Sequence, residues 1–366
     1  MLRHLTFCLL VTLVTLAIPT QLTAEVVWSP GTGWRIEGGA LSGLTGLEGR
    51  SALDLMNKAR DKEEKGNYGS ALRTYKKVIK KYGTSIYTPE ALYRSARLYL
   101  KRKQYAKSFD AYAGIISRYP NTPRFNEIIG EQYRIASALL DGARTYYWGW
   151  MPGLPDRPKG IEHFERILLA APYSDYAPLA LMNIARGHQR LNNSIYAIDA
   201  LDRMINNHPQ SLLSSDAYLK LAQTHASLVE GPPYDQAATQ EAITYFQDFM
   251  ILFPGDANVA AAEIGLDDMR TMLAKSKIVM ADFYFYKRDN YTAARVFYNE
   301  AITVYPDSVV ADLAKERLSE VEVEAAQYLP ATESDDSKKA PKKKKRFFFL
   351  GAFFESSDSV AGRYCA

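Results

Sequence analysis

The chain has 366 residues, of which 47% are apolar and 23% charged, the balance of a folded body rather than a disordered one. Its net charge of +4 says little about partners. Lys338 to Arg346 holds seven basic and no acidic residues, and the remainder carries about −3, which excludes a broadly basic, nucleic-acid-binding body.

The first segment, 1–24, reads as a signal peptide. Arg3 and His4 precede an apolar run from Leu5 to Ile18, and Leu22-Thr23-Ala24 offers a small residue before a cut near Glu25. The segment predicts an exported chain. Of the two cysteines, Cys8 leaves with this segment and Cys365 remains alone, so neither a disulfide nor a cysteine-based zinc site is expected. Residues 25–50 then read as an irregular lead-in, with Trp28, Trp34 and seven glycines between Gly31 and Gly49. Its two tryptophans are expected on the body in preference to a partner.

From Ser51 apolar residues recur at helical spacing, and the segments repeat. Six times a small residue is followed by a large one four later and an apolar one three after that. The six are Ala71-Tyr75-Val78, Ser108-Tyr112-Ile115, Gly160-Phe164-Ile167, Ala197-Leu201-Met204, Ala242-Phe246-Phe249 and Ala294-Tyr298-Ala301. In five of them a proline follows: Pro120, Pro172, Pro209, Pro254 and Pro306. A small residue twelve positions earlier, such as Ala59, Ala96 or Ala185, marks a partner helix. The small residue admits close approach, the large ones fill the groove between helices, and proline sets the end. The expectation over 51–328 is an all-α, tetratricopeptide (TPR) type helix-pair superhelix of about six repeats.

Two insertions interrupt it. Residues 143–159 hold Tyr146, Tyr147, Trp148 and Trp150 among prolines and glycines, with Trp148 and Trp150 as either a partner contact or core padding. Glu230 to Tyr234 reads as a loop. A long helix is expected over Ala257 to Lys287, and a last helix after Arg317, ending near Tyr328. Residues 329–366 read as a disordered tail that becomes basic and aromatic. There Lys342, Lys343, Lys344, Lys345 and Arg346 suit anionic headgroups, and Phe347, Phe348, Phe349, Phe353 and Phe354 suit the acyl boundary. The apolar stretch is too short to span. A protein partner, or a solvated end with no specific role, are the other readings of it.

No Gly-rich phosphate loop, HExxH or nucleophile elbow is present. His163, His188, His208 and His225 fall on separate predicted helices or helix ends, with His188 at a core position. The pairs Glu162/Glu165 and Asp267/Asp268 fit solvated faces. No catalysis, no cofactor and no metal is expected.

Arg270 to Lys275, Ala281-Asp282-Phe283-Tyr284, Lys287 to Ala294 and Tyr305-Pro306-Asp307-Ser308 are similar to the closing repeats of the BamD family, TPR lipoproteins of outer-membrane β-barrel assembly. Pro155-Asp156-Arg157, Phe164 and Pro172 to Ala177 resemble its middle. Cys8 follows Leu5-Thr6-Phe7, so the family's lipobox is not recognisable, and attachment is expected through the tail and another subunit. The resemblance implies a non-catalytic scaffold whose protein partners are unfolded outer-membrane proteins and the barrel-assembly subunit. The TPR register turns Met56, Arg60 and Glu63, then Tyr93, Arg97 and Lys101, toward a peptide groove. Arg60, Arg97 and Lys101 would meet a terminal carboxylate and Tyr93 an aromatic side chain, the alternative being an ordinary charged helix face. Two rival functions remain at this point: a coordinator of Tol-Pal or cell-wall machinery, and a peripheral membrane tether acting through the tail.

Overall fold

The structure, a computed structural model, describes residues 25–37, 47–148 and 150–328. The signal segment with Cys8, and residues 329–366 with Lys342 to Phe354 and Cys365, lie outside the described residues.

The first compact unit runs to Tyr176. It opens with strands β1 (Glu25–Ser29) and β2 (Gly33–Glu37). Helices α1 (Leu47–Glu64), α2 (Tyr68–Lys81), α3 (Thr88–Lys101), α4 (Tyr105–Arg118) and α5 (Phe125–Leu140) follow. Strands β3 (Arg144–Tyr147) and β4 (Met151–Pro155) precede α6 (Arg157–Ala170). The second unit contains α7 (Tyr176–Arg190), α8 (Ser194–Asn207), α9 (Ser214–Ser227), α10 (Ala237–Leu252), α11 (Val259–Asp282), α12 (Tyr291–Val304) and α13 (Val309–Tyr328).

The repeat register is what packs. All eighteen residues of the six small-large-apolar triplets are buried. The close approach is literal at two places. The Ser108 hydroxyl donates to the Ala96 carbonyl at 2.8 Å, joining α4 to α3 across the twelve-residue spacing. At Gly160 a Cβ would stand 2.7 Å from the Leu140 amide nitrogen and 2.9 Å from the Ala136 oxygen, so only glycine lets α6 lie on α5. Helix ends follow the prolines. Tyr119 and Phe253 leave the helical region, at φ −133 and −128, as the residue before a proline must.

In the second unit α11 serves two clusters. Its first half, Ala262 to Met269, packs with Phe246 and Phe249 of α10, and its second half, from Ala274, packs with Tyr298 of α12 and Ala314 of α13. One helix spanning two layers explains its length. It closes in a π-helical turn over Phe283–Lys287.

Three expectations are corrected. The lead-in is not irregular: β1 and β2 pair antiparallel, with Trp28 opposite Trp34, around a turn with Gly31 at φ +90. The first helix begins at Leu47, and the last at Val309 with Arg317 inside it. The glycine count hid the hairpin, because glycine marks a tight turn as readily as a structureless segment.

Candidate functional site

The residues assigned to the groove lie on α1 and α3, and they do not form one open surface. Met56 is corrected: it is fully buried, in a cluster with Trp34, Tyr75 and Tyr87, and meets no ligand. Arg60 sits with its guanidinium 4.3 Å from the Trp28 ring and pairs with Glu63 and Glu64 at 3.3 and 3.0 Å. Glu63 accepts from the Tyr75 hydroxyl at 2.9 Å. Burial first, and the Glu63 carboxylate next, raise that phenol above its ordinary range.

The covering element is the N-terminal hairpin. Val26, Trp28, Trp34 and Ile36 share one of its faces, and all four join the cluster of α1, α2 and α3. The Trp34 amide donates to Asn57 Oδ1 at 2.9 Å, and its ring stands 5.2 Å from the Arg94 guanidinium. Gly33, at φ +73, is needed here, since a Cβ would come within 2.8 Å of Asn57 Oδ1. Thus Arg60, which the register turns toward a ligand, and its neighbour Arg94 hold the chain's own tryptophans.

Sequence reasoning passed over a continuous line of charge. Arg94 bridges Glu63 at 3.9 Å and Glu90 at 2.8 Å, and Glu90 bridges Arg124 at 2.6 Å. Glu90 is only 6% exposed, and two guanidiniums offset its desolvation. A signal for it existed. Glu90 and Arg124 are 34 residues apart, and so are Tyr93 and Glu127, whose side chains also hydrogen-bond. That spacing links first helices of successive repeats, α3 and α5.

Of the α3 set, Tyr93 is corrected as well, being only 6% exposed, while Arg97 and Lys101 are open. Tyr93 donates to Glu127 and lies 4.7 Å from the Arg124 guanidinium. Burial and the Glu127 carboxylate push its pKa up to about 12, so the phenol is neutral throughout the physiological range. Arg97 is exposed, 5.9 Å from the Tyr93 ring, and Lys101 is exposed, 5.3 Å from the Tyr68 ring. At Tyr93 a cleft of about 510 Å³ is walled by Val26, Glu90, Tyr93, Arg118, Arg124 and Ile128, and neither Arg97 nor Lys101 lines it. It sets an apolar wall beside Arg118 and beside Arg124, which is already paired with Glu90.

The second hairpin carries the other predicted pair. Trp148 and Trp150 are 66% and 72% exposed, which corrects the core-padding reading. The histidines lie apart. His163 is buried and stacks on Phe109 at 3.9 Å, with its pKa lowered to about 4 by burial and then by Arg166. His188 stacks on Tyr196 at 5.2 Å. Among the described residues no group of three or more His, Cys, Asp or Glu could hold a metal, and no helix is long and apolar enough to cross a membrane.

Comparison with known proteins decides the family. Residues 156–340, half of the chain, match the family YfiO, described as an outer membrane lipoprotein. This chain belongs to that family. Residues 90–122 match a tetratricopeptide repeat, in the segment that runs from Glu90 almost to Arg124. A 147-residue stretch is 26% identical to the outer membrane protein assembly factor BamD of Rickettsia prowazekii, covering 40% of this chain and 58% of that one. The corresponding protein of Caulobacter vibrioides is 21% identical over 126 residues, covering 34% and 41%. The matches therefore span about half the length of these relatives. Among solved structures, a tetratricopeptide repeat protein from Parabacteroides merdae aligns at 14% identity over 75% of this chain and all of its own, with a TM-score of 0.30. That overlap is too low to argue from. The fold is all-α and TPR-like on its own packing and on the repeat match.

Proposed function

We propose that this protein is a non-catalytic periplasmic TPR scaffold of outer-membrane protein assembly, binding unfolded outer-membrane protein segments and the barrel-assembly subunit. The observation that carries the binding half is the exposure of Arg97 and Lys101 on α3, with Arg97 standing 5.9 Å from the ring of Tyr93, which lines the cleft. Within the face first assigned to peptide, the α1 end is occupied by the N-terminal hairpin. The ligand path therefore runs along α3 and the start of α5, past Tyr93, Arg97 and Lys101. An extended segment would lay an acidic or terminal carboxylate against Arg97 and Lys101. Family membership supports the assembly half. The basic-aromatic segment from Lys342 to Phe354 supports a peripheral position at the outer membrane.

The test compares wild type with R97E/K101E, both substitutions being at exposed positions. Proteins are cross-linked reversibly in the native envelope and identified by mass spectrometry. Wild type should bring down the barrel-assembly subunit and unfolded outer-membrane proteins. The double variant should keep the subunit and lose at least about tenfold of the outer-membrane proteins, the equivalent of one charge-assisted contact. Equal recovery of outer-membrane proteins by both would refute the ligand path past Arg97 and Lys101. Recovery of Tol-Pal or cell-wall components without any assembly subunit would replace the function by the coordinator reading.

A further inference from the structure

The β3–β4 hairpin turns several rings outward; among the described residues of its unit the other fully open ring is Tyr173, between α6 and α7. Tyr147, Trp148, Trp150 and Leu154 are between 56% and 84% exposed, and Met151 joins them at the edge. The rings are ordered against one another, with Trp148 and Trp150 stacked at 6.4 Å and Tyr147 at 6.5 Å from Trp148. Trp148 adopts φ +51, a left-handed backbone that disfavours a bulky side chain, so this ring is kept at a conformational cost.

The base of the hairpin is tied to the body. The Tyr146 amide donates to the Lys103 carbonyl at 2.9 Å, and the Lys103 ammonium lies 5.1 Å from the Tyr146 ring. The Arg102 guanidinium donates to the Trp148 carbonyl. These ties bring a basic collar to the aromatic tip. Arg102 and Lys103 come from the turn after α3, and Arg144 from β3 itself. The carboxylates next to the hairpin along the chain are Asp141 and Asp156, and Asp156 accepts from the Lys159 amide to cap α6.

We infer that this hairpin is a membrane-interface anchor that seats on an anionic phospholipid surface. Indole and phenol rings settle at the headgroup level, where one end is apolar and the other wet. Basic side chains just behind them meet lipid phosphates, and each is expected to raise partitioning about fivefold. Since no described helix is long and apolar enough to span, contact by this body is interfacial. The inference involves no peptide and stands apart from the cleft.

The experiment uses the full chain, vesicles of phosphatidylcholine and phosphatidylglycerol, and phospholipids brominated on the acyl chain, which quench tryptophan within the bilayer. The chain has four tryptophans, and in W148F/W150F only Trp28 and Trp34 remain. Wild-type emission should shift to the blue and be quenched on anionic vesicles, and the residual emission of W148F/W150F should be neither. K103E/R144E should lower quenching at fixed lipid at least about fivefold. Wild type that binds the vesicles without quenching is held by another segment, and the inference fails. Equal quenching on vesicles of phosphatidylcholine alone overturns the role of the basic collar. A blue shift produced by the purified barrel-assembly protein and not by vesicles would make the hairpin a protein contact and overturn the inference as well.

Discussion

Two β-hairpins in this chain each present a pair of tryptophans, and the chain treats them in opposite ways. In the first, Trp28 and Trp34 face each other across the strands on one face, and that face lies on α1 to α3. In the second, Trp148 and Trp150 sit at the turn, beyond the last paired residues Tyr147 and Met151, where no helix lies over them. Strand positions take their direction from the pleat, so one face can be given wholly to the core. Turn positions have no such assignment. The body matters too. Ala52 and Ala59 of α1 and Ala91 of α3 are small and buried in the cluster that holds Trp34, leaving room for an indole. The same residue type is therefore core in one hairpin and surface in the other. Composition does not separate them.

The sharpest way to break this comparison is at Trp34, which is 3% exposed. W34A removes a buried ring and its contact with Arg94, and should destabilise the folded protein by about 3–5 kcal/mol in urea unfolding. A loss below about 1 kcal/mol would mean that the first hairpin is as detachable as the second.

A test of the body beneath the second hairpin comes next. His163 of α6 has no exposed surface, and its pKa of about 4 lies below the ordinary 6.5. The unfolded chain takes up this proton first. The stability that His163 holds is fully present above pH 6.5, falls as pH drops from 6.5 to about 4, and falls no further below that. Over this window the loss is on the order of 3 kcal/mol. H163F keeps a ring on Phe109 and removes the proton, so its urea midpoint should change less than wild type's between pH 7 and pH 4.5. Parallel pH curves for the two proteins would show that the histidine is more hydrated than its packing implies.

The smallest effect belongs to the exposed pair. W148A/W150A should change unfolding free energy by less than about 0.5 kcal/mol, because neither ring fills the core. The contrast with W34A is the point: two tryptophans lost at the tip should matter less than one lost at the base of the repeat.

The repeat register was readable because it is a local rule. Ala71, Tyr75 and Val78 stand on one helix, and their spacing alone turns them to one side. Gly160 was readable as a small residue, although only the 2.7 Å approach to Leu140 shows that alanine would not do. Met56 was misread for the opposite reason. The TPR register turned it toward a groove, and the groove at that end is filled by residues some twenty positions earlier, as the pairing of Trp34 with Asn57 shows. The line Glu63, Arg94, Glu90 and Arg124 was missed because each charge, taken singly, reads as a solvated helix face.

What the sequence determined by itself is the helical repeat: the positions of small and large residues, the prolines that end helices, and the family these imply. Each depends on neighbours within one or two turns, where backbone geometry is the same in any TPR array. Only the tertiary structure decided which faces are open. Coverage of α1 by the first hairpin, the cleft left beside Tyr93, and the exposure of Trp148 and Trp150 depend on where distant segments meet. Burial is a property of the assembled surface, and no residue carries it alone.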